Sequence, residues 1–143
     1  MKGRVFFDTN ILIYADDADA GAKRDRAQQI IEAALNNGNG VLSTQVLQEY
    51  FVVATRKLGL SAEIAQKKVE ILATMTVIAI DVEHVVEAIK LHRLYGFGFW
   101  DCLILHCAKV AGCPRLLTED LQPGRSIEGV AIENPFVSAA SAP

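Results

Sequence analysis

The sequence predicts an α/β fold, a three-layer α/β/α sandwich built on a five-stranded parallel sheet. Two observations predict it. Short apolar runs with no polar alternation recur along the chain, as strands buried on both faces do. Between them lie longer segments whose apolar residues return every third or fourth position, the period of a helix packed on one side. Strands separated by covering helices form such a sandwich. No repeat or linker interrupts the pattern, so residues 1–136 read as one domain and the small, polar stretch 137–143 as a flexible C-terminal tail.

The first strand is Val5 to Phe7, and a helix opening at Thr9 follows at once. Ala27, Ile30, Ile31, Ala34 and Leu35 mark the next helix by their spacing. Gly40 to Ser43 is the second strand. In the TQVLQEYFVVATRK segment after it, Val46, Glu49, Tyr50 and Val53 share one helical stripe. Ser61 caps a helix with Ala65, Val69 and Leu72 on its apolar face. Thr76 to Ile80 is the third strand, and Asp81 caps a helix whose apolar face reads as Val82, Val85, Val86 and Ile89. The glycines of GFGF, residues 96–99, end that helix and open the next. They lack the full glycine pattern and the preceding strand of a phosphate loop. The last helix runs from about Trp100 to Ala111 and stops at Gly112 and Pro114. Arg115 to Leu117 and Val130 to Ile132 complete the sheet.

A chain of 143 residues has room for one substantial core. With 51% hydrophobic and 22% charged residues it belongs with folded rather than disordered proteins. No apolar run approaches the ~20 residues of a membrane helix, and MKGRVFFD reaches an acid too early for a signal peptide. A cytoplasmic protein with no membrane partner is expected. Cys102, Cys107 and Cys113 fit neither a disulfide framework nor a zinc site and read as buried free thiols. His84, His92 and His106 have no metal-ligand spacing and read as partly exposed helix residues. The net charge of −3 gives no general attraction for nucleic acid, so binding a polyanion needs a basic patch or bound cations.

Four acids stand where carboxylates are costly or where ligands bind. In open parallel sheets ligands sit at the carboxyl ends of strands. Asp8 ends the first strand, and Glu119 and Asp120 follow the RLL strand, facing the same expected crevice. Glu49 lies on or beside its helix's apolar stripe, and Asp101 joins Ile104, Leu105 and Ala108 near a helix start. Buried carboxylates are normally paired, hydrogen-bonded or metal-bound, and no matching set of basic residues accompanies these. Oxygen-only ligands suit Mg2+ or Mn2+ rather than zinc. Each acid also has a plainer reading. Asp8 can cap the helix at Thr9, and Asp101 can be a first-turn acid favoured by the helix dipole. Glu49 can face solvent beside Gln48, and Asp120 can form a turn before Pro123 and Gly124. The convergence of the four placements favours an acidic metal site. Within TED, strand alternation puts Thr118 and Asp120 on one side and Glu119 on the other.

Taken in order, FDTNILIYA, QVLQEY, FWDCLIL and LLTED, with the closing IEGVAIENPF, resemble the PIN-domain ribonucleases. The match is closest to the VapC-type toxins of bacterial and archaeal toxin–antitoxin pairs. The motifs are short, but the resemblance spans nearly the whole chain. It implies a Rossmann-like sandwich with a five-stranded parallel sheet and Mg2+- (or Mn2+-) dependent endoribonuclease activity. Matched position by position, it implies Asp8, Glu49, Asp101 and Asp120 as the catalytic, metal-holding acids. Asn10 and Thr118 match the polar residues that support them. The implied reaction is hydrolysis of an RNA phosphodiester by metal-activated water, with Arg56 and Lys57 as candidate backbone contacts. The implied partners are a second copy, in a homodimer, and a small antitoxin whose C-terminal segment fills the acidic cleft, often through an arginine. Leu58, Leu60, Ile64, Ile71 and Leu72 add apolar surface that favours an interface.

Three rivals share some of these features. A haloacid-dehalogenase-type phosphate-transfer enzyme needs a second Asp where Asn10 stands. A receiver-like module phosphorylated on Asp8 wants an earlier acidic pair and a lysine ending a late strand, and neither is evident. A PIN nuclease of RNA maturation fits the same residues, with small size favouring the toxin.

Overall fold

The computed structural model describes residues 3–137; residues 138–143, most of the expected tail, lie outside the described residues. Five strands run parallel: β1 (Val5–Phe7), β2 (Gly40–Ser43), β3 (Thr76–Ile78), β4 (Arg115–Leu117) and β6 (Val130–Glu133). A sixth, β5 (Ser126–Ile127), pairs antiparallel with β6, so the expected count of five is corrected to six. Its turn is Glu128–Gly129, both at positive φ, the geometry of a tight two-residue hairpin. Two residues are too few for any periodicity to mark them as a strand. β3 also ends two residues before the expected Ile80.

The sheet order is β3-β2-β1-β4-β6-β5. From β1 the chain steps outward to β2 and β3, then returns to β4 on the other side of β1. Parallel crossovers are right-handed. The helices α1 (Thr9–Ala15), α2 (Ala22–Asn37), α3 (Thr44–Arg56) and α4 (Ala62–Leu72) therefore cover one face. On the other face lie α5 (Val82–Tyr95) and α6 (Phe99–Val110), packed on each other. This is the three-layer sandwich the sequence predicts. Phe6 and Phe7 of β1, Leu42 of β2 and Leu116 of β4 are fully buried at its centre.

Caps set the helix limits. The side chains of Ser43, Ser61 and Asp81 accept from backbone N–H groups at the starts of α3, α4 and α5. Gly96 ends α5 in the left-handed conformation, at φ 76°. The expected apolar face of α5 is corrected. Ala88 and Leu91 are buried and Val85 is half-buried, whereas Val82, Val86 and Ile89 are exposed. Apolar residues surround most of this helix, so spacing alone did not reveal which stripe meets the protein. On α4, Ile64 and Ile71 are exposed while Leu72 is buried. The three cysteines are buried and free. Burial pushes the Cys107 thiol up to about 12 and the Cys113 thiol up to about 11. No described helix is long and apolar enough to cross a membrane.

One partly buried hydrogen bond ties α3 to the end of α1. Fully buried Tyr50 donates to Asp16 Oδ2 at 2.5 Å, and Asp16 Oδ1 accepts from Lys68 of α4 at 2.8 Å. Tyr50→Phe is expected to destabilise the protein by about 1–3 kcal/mol, a Tm drop of about 3–8 °C, because a charged acceptor loses its donor. Thermal unfolding measures this, and an unchanged Tm would show that the bond contributes nothing to this packing.

Candidate functional site

The strand order reverses between β1 and β4, and the crevice of an open parallel sheet opens beyond the carboxyl ends of such a pair. Asp8 leaves β1 there and Thr118 leaves β4. Asp8 is only 4% exposed. Its Oδ1 accepts from the Thr9 N–H and its Oδ2 from the Thr118 hydroxyl, both at 2.7 Å. The first bond makes Asp8 the N-cap of α1, so cap and cleft acid are one residue. The Thr118 hydroxyl oxygen in turn accepts from the Asp120 N–H at 3.0 Å, which fixes the backbone carrying that acid.

Two helices bring the remaining acids over this edge. α3 starts directly after β2, and its second turn carries Glu49, half-buried, with Oε1 accepting from the Thr9 hydroxyl at 2.7 Å. Asp101, also half-buried, is in the first turn of α6, which enters at the same edge of the sheet. Asp8, Glu49, Asp101 and Asp120 all line one cleft of about 590 Å³, together with Asn10. Thr118 lies beneath, buried against Asp8. Glu119 turns away, accepting from Tyr14 Oη at 2.6 Å and Lys23 Nζ at 2.7 Å. Of the two candidate cations, Lys57 lines the cleft and Arg56 does not.

The electrostatics follow from crowding acids in a partly dry place. Burial pushes the Asp8 carboxyl up to about 7; the Thr118 hydrogen bond opposes this, and the nearby Asp120 charge adds to it. Burial likewise raises Asp101, helped by Asp120 and then Glu49. Its place at a helix N-terminus works in the other direction and does not prevail. For Glu119, burial acts to raise the carboxyl, but the bonds from Lys23 and Tyr14 outweigh it and hold it low.

Sequence reasoning missed several lining residues. Asp17 adds a fifth carboxylate, and only Lys57 among the lining residues opposes the five with positive charge. Thr9 was read only as a helix start, yet its hydroxyl orients Glu49. Gln45 and Trp100 line the cleft as well. Gln45 precedes Glu49 by four positions, and that helical spacing was the available signal. None of the three histidines lines the cleft; His84 and His106 lie ring to ring, 5.3 Å apart, between α5 and α6.

The donor chemistry fits a hard divalent cation. Every acidic lining group offers oxygen, and Asn10 Oδ1 and Gln45 Oε1 are buried oxygens with no hydrogen-bond partner. Such a set suits Mg2+ or Mn2+ that keeps several waters. Among the described residues, no three His, Cys, Asp or Glu side chains already stand close enough to grip one ion. Asp8, Glu49, Asp101 and Asp120 are the lining acids that could hold one.

The PIN domain family model matches residues 5–125. Among solved structures, a toxin–antitoxin complex from Klebsiella pneumoniae is similar at a TM-score of 0.68 and 26% identity, covering 92% of this chain and 98% of that one. A VapC toxin from Mycobacterium tuberculosis that cleaves the sarcin–ricin loop is similar at 0.65 and 17% identity, covering 78% and 86%. VapBC2 from Rickettsia felis, bound to a promoter DNA fragment, is similar at 0.63 and 23% identity, covering 91% and 97%. The last two likenesses bear on the fold alone. No curated protein matches the sequence.

The raised Asp8 carboxyl gives stability a definite dependence on pH. Between its ordinary value of 3.8 and the folded value of about 7, the folded protein keeps a proton that the unfolded chain releases. This contribution to stability is complete at low pH and is lost as pH rises through about 7. In EDTA, the Tm is expected to fall by about 5 °C between pH ~5 and pH ~7.5. Millimolar Mg2+ should restore it at the higher pH, and Asp8→Asn should flatten both responses. A cation-free Tm that rises over this pH range would contradict the assignment.

Proposed function

Because the chain belongs to the PIN domain family, we propose that it is a Mg2+- or Mn2+-dependent endoribonuclease, acting in the cytoplasm as the toxin of a toxin–antitoxin pair. The observation that carries this reading is the meeting of four acids from separate segments at one sheet crevice, without equal positive charge. A divalent cation bound there supplies positive charge against an RNA phosphate and acidifies water. The chain's own groups supply orientation. Thr9 holds Glu49 and Thr118 holds Asp8, each by a donated hydrogen bond, so two of the acids keep fixed directions. Lys57 lines the same cleft and offers its ammonium to a neighbouring phosphate. Trp100, 61% exposed at the rim, offers an aromatic face on which an unpaired base can stack.

The toxin role draws support from the Klebsiella toxin–antitoxin complex and from an apolar groove beside the cleft. This groove, about 580 Å³, runs between α3 and α4 past Leu47, Phe51 and Val69, and shares Gln48 and Val52 with the cleft. It suits the apolar part of a small antitoxin whose arginine enters among the acids. The exposed Val82, Val86 and Ile89 on α5 suit a homodimer contact. A nuclease of RNA maturation would use the same acids, and the groove favours the toxin.

RNA cleavage is expected to stop in EDTA and to resume on adding Mg2+. Asp8→Asn and Asp120→Asn should each lower it at least about 100-fold, as expected when a group central to the chemistry is removed, whereas Glu119→Gln should change it little. Cleavage of labelled RNA at limiting Mg2+ checks this. Full activity in EDTA would remove the cation from the mechanism, and a crippled Glu119→Gln would reassign the fourth acid.

The homodimer is expected to persist at micromolar concentration by light scattering and to weaken in a Val86→Glu variant. A strictly monomeric wild type would exclude it. A short open reading frame directly upstream of this gene, co-expressed with it, should yield a cleavage-inactive complex; a gene with no such neighbour would favour RNA maturation.

A further inference from the structure

Gln45 sits in the first turn of α3, one turn before Glu49 and on the same side of the helix. It is 4% exposed, it lines the acidic cleft, and neither its Oε1 nor its Nε2 has a hydrogen-bond partner. A carboxamide buried in this way without partners is destabilising. An apolar side chain of similar size would avoid that cost, so the unmet groups call for an explanation. Glutamine early in a helix ordinarily turns to water, and this one does not.

The neighbours narrow what can satisfy it. A carboxamide offers one acceptor oxygen and two N–H donors. Ionised carboxylates can accept from Nε2 but have nothing to donate to Oε1. No donor of the protein reaches Oε1 in this structure, which leaves it open to a molecule bound in the cleft. Water around a divalent cation is a strong donor, because the ion polarises its O–H bonds. A neutral oxygen also adds an acceptor to the site without adding a further negative charge to five carboxylates.

We propose that Gln45 is a positioning residue for the bound cation, its carboxamide oxygen accepting a hydrogen bond from the ion's hydration water. The proposal rests on the reading of the cleft as a divalent-cation site. Gln45 would then help orient the ion's water shell, from the helix that also carries Glu49. The unmet polar groups of the cation-free protein are the cost of holding that acceptor in place.

The test uses the full chain with Gln45→Leu and Gln45→Met, wild type for comparison and Asp8→Asn as the cation-site control. Mn2+ affinity is measured by calorimetry without RNA, and the Tm is measured in EDTA. Both Gln45 variants are expected to keep or raise the cation-free Tm, since they remove unpaired polar atoms. Both are expected to weaken Mn2+ binding about 10-fold or more, the usual effect of removing an outer partner of a metal site. Wild-type Mn2+ affinity in either folded variant overturns the proposal. So does a lowered Tm in both variants with unchanged Mn2+ affinity, which marks Gln45 as structural. Weaker RNA binding at unchanged Mn2+ affinity also overturns it, by assigning the carboxamide to the phosphate. If wild type takes up no Mn2+, the cation-site reading falls and this inference with it. If wild type binds and Asp8→Asn does not, while the Gln45 variants bind like wild type, only the Gln45 role is lost.

Discussion

The burial of the Asp8 carboxylate at the end of β1 is the constraint on which the rest of the site depends. The central strand delivers an acid into a nearly dry position, 4% exposed. Three demands meet on it. α1 needs its oxygen as a cap, β4 supplies Thr118 to hold its other oxygen, and Asp120 repels it from above. Two donated hydrogen bonds favour the charged form, yet burial wins and raises the carboxyl to about 7. The cap reading and the cleft reading were set against each other on sequence grounds. In the structure they are the same fact, because the helix N-terminus that the acid caps also roofs the crevice.

The sheet supplies the proximity that sequence distance hides. β1 and β4 are neighbours although more than a hundred residues separate Asp8 from Thr118. Their side-by-side pairing turns two unrelated loops into the floor of one cleft. The helices add one acid from each layer, Glu49 from the α1–α4 side and Asp101 from the α5–α6 side. Placement on helices gives these acids more fixed directions than loops would. α3 is further tied through Tyr50, Asp16 and Lys68, none of which lines the acids' cleft; the network fixes α3 against α1 and α4.

The parts that were legible in the sequence obey period or punctuation. The five parallel strands, the serine and aspartate caps and the glycine stop at Gly96 follow from local rules, and each is present, with β3 two residues shorter than those rules suggest. Asp101 was legible because a charge on the stripe of Ile104, Leu105 and Ala108 breaks a strong pattern. β5 was not, since two residues carry no period. The inner face of α5 was not either, because Val82, Val86 and Ile89 repeat as regularly as Ala88 and Leu91. Regularity tells which residues share a face, and only the tertiary partner decides which face is covered. Gln45 was faint for the opposite reason. A glutamine in a first turn is unremarkable in sequence; its four-residue spacing to Glu49 places it on the cleft side, and its burial without partners singles it out.

These features describe a fold that sets aside local stability at one place. The cleft concentrates five carboxylates against one lysine and leaves polar atoms of Asn10 and Gln45 unmet. Anything that binds there and stabilises the folded state must bring positive charge or strong donors. On the proposed reading two such visitors exist, a divalent cation for cleavage and an antitoxin arginine for silence. Both draw on the same carboxylates, so by linkage each weakens the other. An antitoxin seated in the α3–α4 groove then gains more than coverage of the cleft: it relieves the repulsion that the cation would otherwise relieve. The strain that makes the site reactive is, in this account, also what makes it easy to inhibit.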